Sequence, residues 1–215
     1  MSDTRIGNSD FTTTTIILTG SIEDSLKKAA YLILIIFYGI YFTKQFSQKR
    51  QGIQTLQLGR KKEKHLQRIE ILLLFLNVSI VFLQLVSITF TWGISSKNVQ
   101  VTGLIIGLLG DCIFFAAVLT MKNSWRAGIP INEHTELISD GIYKYSRNPA
   151  FLGFDFMYVG ILLMYFNIPL LILSAIAILT LHLQILEEEK YLTSKFNNSY
   201  LEYKKHTYRY LGKRK

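Results

Sequence analysis

Apolar residues in this chain gather into runs near the length of a bilayer crossing, and polar residues are confined to the gaps between them. At 1.5 Å rise per residue, roughly 20 apolar residues cross about 30 Å of hydrocarbon. The first run, Ala29 to Thr43, extends toward Leu26 and Phe46, with Lys27 and Lys28 at one end, where long cationic side chains snorkel. The second, Ile69 to Trp92, is nearly uninterrupted and closes on a tryptophan suited to the interface; the third is Val101 to Met121. A longer stretch, Ala150 to Leu186, is broken once, at Asn167-Ile168-Pro169. Proline lacks an N–H and constrains the residue before it, so this stretch predicts two antiparallel helices of about 17 residues, roughly 25 Å each, joined by a tight turn. The pattern predicts an all-α polytopic membrane protein with about five transmembrane helices, the last two a helical hairpin, followed by a helical tail.

Three regions follow. Residues 1–25 form a Thr- and Ser-rich segment, residues 26–121 carry three spans with a basic loop at 44–68, and residues 122–215 hold a connector, the hairpin and the tail. Loop 44–68, segment 122–149 and the tail from Glu187 contain eight, four and eight of the 24 Lys and Arg residues. Five spans put all three on one side, which the positive-inside rule makes the cytoplasm, with the N-terminus outside. The first 25 residues lack the basic start, apolar core and small-residue cleavage site of a signal peptide and are expected to be retained. The ending Gly212-Lys213-Arg214-Lys215 is no prenylation signal.

Composition changes this picture little. The chain has 215 residues, 49% hydrophobic, and a net charge of +9. Because the positive charge is partitioned by topology rather than spread over a soluble face, membrane lipids are expected as partners and nucleic acid is not. The single cysteine, Cys112, permits neither an intramolecular disulfide nor a cysteine-based zinc site, and no metal is expected. Inside the apolar runs, Asp111 reads either as a functional group or as a protonated acid bonded to a neighbouring helix. Asp155 reads as a pocket-facing group or a backbone or Arg147 partner, and His182 as a helix–helix hydrogen-bond partner. Gly103, Gly107 and Gly110 read as close-packing positions.

Three polar elements meet at one end of the predicted hairpin: the segment Gly141–Gly153, the acids Glu187, Glu188 and Glu189, and the aromatic, basic tail. The hairpin brings the start of one helix beside the end of the other, so Arg147 is expected near Glu188. Such a pair either trims the hairpin at the interface or holds a ligand.

The full spacing is more specific. Gly141, Tyr143, Arg147, Asn148, Pro149, Phe151 and Gly153 are followed by Glu188, Glu189, Leu192, Phe196, Asn197, Tyr200, Tyr203 and Arg209. This resembles the isoprenylcysteine carboxyl methyltransferase and phospholipid methyltransferase superfamily over about residues 122–211. The family commonly carries histidine where this chain has Asn148, tyrosine at Phe151 and glycine at Asn197; asparagine retains hydrogen bonding but does not titrate near neutrality. A family histidine two residues before the leucine of the preceding turn is out of register, since His134 lies three before Leu137.

The resemblance implies a methyltransferase that uses S-adenosylmethionine in a cytoplasmic pocket and takes a lipophilic acceptor from the bilayer. That acceptor is the carboxylate of a prenylated or otherwise lipidated thiol, or a phospholipid amine. It implies cofactor-binding roles for Tyr143, Arg147, Asn148, Pro149, Phe151, Gly153, Glu188, Glu189, Tyr200 and Tyr203. Glu188 and Arg209 would serve catalysis, Arg209 orienting an anionic group of the acceptor or simply anchoring a headgroup. Two rivals stand beside it. NADPH-dependent membrane sterol or steroid reductases share a similar C-terminal motif, and a non-enzymatic membrane protein is the second, although the paired broken helices of transporters are missing.

Overall fold

The computed structural model describes residues 6–59, 63–129 and 136–213, with side chains from residue 20 onward. Arg60, Lys61, Lys62, Pro130, His134, Arg214 and Lys215 lie outside the described residues. Among the described residues the chain forms six α-helices: α1 Ile6–Arg50, α2 Lys64–Thr89, α3 Lys97–Met121, α4 Pro149–Met164, α5 Ile168–Phe196 and α6 Asn198–His206. No β-strand forms among the described residues; two isolated backbone bridges join Leu56 to Ala127 and Thr207 to Lys213.

Four stretches, Gly20–Arg50, Lys64–Thr89, Lys97–Ser124 and Ile168–Phe196, are long and apolar enough to cross a membrane. The expected five spans therefore become four full-length helices and one short one, α4, whose 16 residues span about 24 Å. Helix α1 reaches beyond the Ala29–Thr43 run in both directions and continues through residues 6–25, the segment set apart on composition. Large apolar side chains point outward all along the bundle, among them Ile35, Phe75, Val78, Phe82 and Leu179, as the lipid-facing surface of a membrane bundle requires.

Helix α4 is short because the proline that starts it and the turn that follows it fix its two ends. Pro149 starts it, where a missing N–H is harmless. After Met164 the chain turns through Asn167, whose side chain caps α5 by accepting from Leu170 N at 2.9 Å. The same amide donates to Ser87 Oγ, Trp92 O and Tyr165 O, tying the turn to the end of α2.

The closest helix contact is α3 on α4, and small residues make it. A methyl group added to Gly103 would lie 2.5 Å from Gly160 O, and one added to Gly160 would lie 2.6 Å from Gly107 Cα. Gly110 meets Met157 N, and Gly153 meets Phe114. Backbone-to-backbone approach of this kind replaces the hydrophobic drive that apolar solvent removes. Below it, Phe37, Phe114 and Phe154 form an aromatic core, Phe37 stacked on Phe114 at 4.4 Å between centroids.

At the end where α4 begins and α5 finishes, residues 53–59 lie along residues 125–129. Gln57 N donates to Ala127 O and Ala127 N to Thr55 O. The carboxylate of fully buried Glu70, at the head of α2, accepts from Gly59 N at 2.9 Å and Ile129 N at 3.3 Å. The resulting roof carries Trp125 and Arg126.

Candidate active site

Arg147 lies in the extended link between a 3-10 turn, Gly141–Lys144, and α4. Its guanidinium turns into the protein, where its Nη2 and Nε donate to Glu189 Oε1 at 2.7 and 3.2 Å, and its Nη1 donates to Thr207 O. Arg209 approaches the same carboxylate from the tail, Nη2 to Oε2 at 2.9 Å. Asn148 Nδ2 adds a bond to Arg209 O, and Arg147 N donates to Tyr208 O. One carboxylate thus holds two guanidiniums, and the tail is stitched to the start of α4. Glu189 and Arg147 are buried, with side chains 5% and 3% exposed, whereas Arg209 is 33% exposed.

The expected neighbour of Arg147 was Glu188, but the ion pair falls on Glu189. Successive helix positions are turned about 100° from one another, so only one of the two acids points at the start of α4. Glu188 instead lines a polar cavity together with Tyr143, Arg147, Asn148, Phe151 and Tyr203. Of the residues assigned to the cofactor, those six share that cavity. Glu189 forms the ionic knot behind it, Tyr200 is buried, Pro149 opens α4, and Gly153 faces α3.

The phenols respond to this setting. Burial raises the Tyr143 hydroxyl strongly, with Tyr203 and Glu188 adding to the effect. Burial, with Glu189 beside it, pushes Tyr200 up to about 12. Tyr203 is raised likewise by burial and donates to Tyr143 O at 2.6 Å. All three are neutral hydrogen-bonding groups in any physiological range. Arg209 is raised by its hydrogen bonds to Glu189.

The polar cavity measures about 120 Å³, and the chain between its lining residues Ile129 and Glu136 lies outside the described residues. A second cavity, about 630 Å³ and overwhelmingly apolar, opens among α1, α2, α4 and α5. Its volume lies within the usual range of roughly 300–1,000 Å³ for a small-molecule site. The two share a wall: Trp125, Arg126, Gly128, Ala150 and Phe151 line both. One face of α5 also runs through both, Leu181 and Gln184 on the apolar cavity, Glu188 and Tyr191 on the polar one. Steps of three, four and three residues keep that face continuous.

Trp125, Arg126, Glu136, Tyr191 and Gln184 are site residues that the motif reading did not select. The 181/184/188/191 spacing was open to view in the sequence; the roof residues had no local signal, because a contact between residues 57 and 127 places them. His182, expected between helices, bonds instead to the tail, Nδ1 to Tyr210 OH at 2.6 Å. Both Asp111 carboxylate oxygens and Asp155 Oδ1 are buried without a hydrogen-bond partner among the described residues. Among the described residues no cluster of His, Cys, Asp or Glu is arranged to hold a metal.

A bundle of membrane-length helices, with a charged knot at one end and a polar cavity that shares a wall with an apolar one, describes an integral membrane protein with a candidate ligand site at that end. Residues 103–194 match the isoprenylcysteine carboxyl methyltransferase (ICMT) family. The chain is similar to the protein-S-isoprenylcysteine O-methyltransferase of Saccharomyces cerevisiae, 30% identical over 119 residues, covering 54% of this chain and 49% of that protein. It is also similar to protein-S-isoprenylcysteine O-methyltransferase A of Arabidopsis thaliana, 35% identical over 104 residues, 47% of this chain and 53% of that one. The human enzyme of that name is 29% identical over 110 residues, 49% of this chain and 38% of its own length. The chain thus spans about half the length, or less, of the curated relatives it matches.

Proposed function

We propose that this protein is a membrane methyltransferase that uses S-adenosylmethionine to esterify the carboxylate of a prenylated or similarly lipidated cysteine, with the ionic knot on the cytoplasmic side. The observation that carries the reading is the shared wall: a polar cavity and a lipid-sized apolar cavity meet at Trp125, Arg126 and Phe151. A reaction between a charged, water-borne donor and a lipophilic acceptor needs that junction.

The polar cavity's donor set fits the cofactor. Glu136 and Glu188 suit an ammonium or ribose hydroxyls, Arg147 and Asn148 suit a carboxylate, and Trp125, Phe151, Tyr143 and Tyr203 offer aromatic faces for adenine or a sulfonium. Bound there, S-adenosylmethionine supplies an electrophilic methyl group, whose bonding electrons stay on sulfur as a carboxylate oxygen contributes the new pair. No proton changes hands, so neutral tyrosines and Asn148 suffice, and the chain's task is alignment and exclusion of water. The knot of Arg147, Glu189 and Arg209 keeps the tail across the cavity's back and fixes the rotamer of Arg147.

Detergent-purified protein tests the reading. S-adenosylmethionine at 100 times its dissociation constant should stabilise it by about 2.7 kcal/mol, and Glu188→Ala should remove that response while membrane insertion is retained. Radiolabelled methyl groups should pass to an N-acylated S-farnesylcysteine as a base-labile ester. Base-stable label in phospholipid would make a headgroup amine the acceptor, and stabilisation by NADPH alone would replace the reading with a reductase.

A further inference from the structure

The turn that closes the tail reaches deeper than its polar surroundings suggest. Thr207 and Lys213 form an antiparallel bridge, Tyr208 N donates to Gly212 O at 3.0 Å, and Gly212 N donates to Tyr145 O at 2.7 Å. Residues 207–213 therefore double back, with Arg209, Tyr210 and Leu211 at the tip. Arg209 stops at Glu189, but Tyr210 goes further, its hydroxyl hydrogen-bonded to His182 Nδ1 at 2.6 Å and its ring stacked on the imidazole at 6.0 Å between centroids.

Two helices give the depth of that tip. His182 stands four residues before Leu186, the last apolar position of α5 ahead of the three acids, and so about 6 Å inside the apolar run. Asp155, which acts electrostatically on Tyr210, stands six residues beyond Pro149, about 9 Å along α4. Interfacial apolar groups lie at just such a depth, about 5–10 Å into the boundary between headgroups and acyl chains. Leu211 follows Tyr210 and is 63% exposed. Beside His182 the surface of α5 is continued by Leu179 and Leu183, exposed as the lipid-facing side of a membrane bundle is. In water Leu211 would be an apolar liability; at this level acyl chains solvate it as they do Leu183.

Charge frames the tip from above. Lys144 and Lys213 are exposed at the base of the turn and line one shallow groove, and Lys213 Nζ lies 4.9 Å over the ring of exposed Tyr145. The one acid among the groove's lining residues, Glu202, is already bonded to Lys205 and His206. An apolar tip, then an aromatic ring, then ammonium groups is the order in which acyl chains, interface and anionic headgroups succeed one another.

We infer that residues 208–211 are seated in the leaflet nearest the ionic knot, with Tyr210 and Leu211 at the acyl boundary and Lys144 and Lys213 on headgroups, so that the partner of this surface is an anionic lipid monolayer. In a bilayer, lipid then joins Glu189 in holding the tail behind the polar cavity. The inference requires that the bundle span a membrane and nothing of the reaction proposed above.

The test uses the full-length protein in lipid nanodiscs. On a Cys112→Ser background, a nitroxide at Leu211→Cys reports collisions with oxygen, which concentrates among acyl chains, and with a nickel chelate, which stays in water. The same label at Lys205→Cys, on the exposed side of α6, is the aqueous reference. The label at 211 should collide chiefly with oxygen and that at 205 chiefly with the chelate. A second measurement needs no cysteine variant: replacing part of the phosphatidylcholine by phosphatidylglycerol should slow chymotryptic cleavage after Tyr208, Tyr210 or Leu211 by about fivefold for each of the two lysines. Lys144→Gln combined with Lys213→Gln should erase that slowing, and, cleaved in the same discs, controls for adsorption of the protease to lipid. A label at 211 as open to the chelate as the one at 205 overturns the inference. Cleavage that ignores phosphatidylglycerol, or responds to it equally in native protein and the double variant, overturns it as well.

Discussion

The ionic knot gives the sharpest prediction. Replacing Arg147 by leucine removes two charge-assisted bonds to Glu189 and one to Thr207 O. Each such bond contributes about 1.5–3 kcal/mol, but the three share one guanidinium and do not add. Glu189 is also not abandoned, because Arg209 remains on its other oxygen, and Arg209 is one-third exposed, so water softens that pair. We therefore expect Arg147→Leu to weaken tail docking by about 2–4 kcal/mol. Glu189→Leu leaves two guanidiniums facing one another and should cost more, about 3–5 kcal/mol. Removing both Arg147 and Glu189 restores charge balance, so the double variant should be less impaired than the sum of the singles by at least about 1.5 kcal/mol. The assay is the rate of tryptic cleavage within Lys204–Arg209 in detergent, which follows the open fraction when closing is fast. At 1.4 kcal/mol per decade, a 3 kcal/mol loss raises that rate by roughly 100-fold. Cleavage within threefold of native in Arg147→Leu, or strict additivity in the double variant, would refute the claim that one buried carboxylate holds the tail in place.

Other consequences are as direct. Gly160→Leu should lower thermal stability sharply, because the added atoms meet Gly107 backbone that has no room to yield, whereas Gly20→Ala, in open space, should leave the melting temperature unchanged. Asn167→Ala should cost about 1–2 kcal/mol for the lost cap, read as a lower denaturation temperature in detergent, with a further loss from its bonds to Ser87 and Trp92. Tyr200, raised in the fold, stabilises the native state fully below its ordinary value near 10, a contribution that fades as pH climbs toward about 12. Tyr200→Phe should accordingly flatten the fall in melting temperature across that interval, and an unchanged slope would contradict the assignment. Glu70→Gln should loosen the roof over both cavities, seen as faster amide exchange at Gly59 and Ile129.

How far the chain alone discloses this arrangement depends on the reach of each interaction. Spans, the Asn167 turn and the glycine stripe are local periodicities, and each is readable residue by residue. Six of the motif residues share one cavity, because Tyr143 to Phe151 are close in sequence and the hairpin returns Glu188 to them. That Arg147 pairs with Glu189 and not Glu188 is not legible in the sequence, because spacing along a helix does not fix its rotation about its own axis. Trp125 and Arg126 carry no local signal, because their place depends on contacts between residues far apart, such as the pairing of Gln57 with Ala127, whereas the place of Gln184 follows from its spacing to Leu181 and Glu188. The histidine-to-asparagine departure at position 148 is consistent with the knot, where Asn148 works as a donor to Arg209 O and needs no titration.

The family match begins at Gly103, yet much of the apolar chamber is walled by α1 and α2, from Leu34 on one helix to Leu85 on the other. Under the proposed function, the hairpin and tail would hold the methyl donor and the first two helices would shape the space for the lipid. Changes in those two helices would then alter which lipid fits without altering the donor cavity. Grafting the α1–α2 pair from a relative should then carry over that relative's preference for chain length.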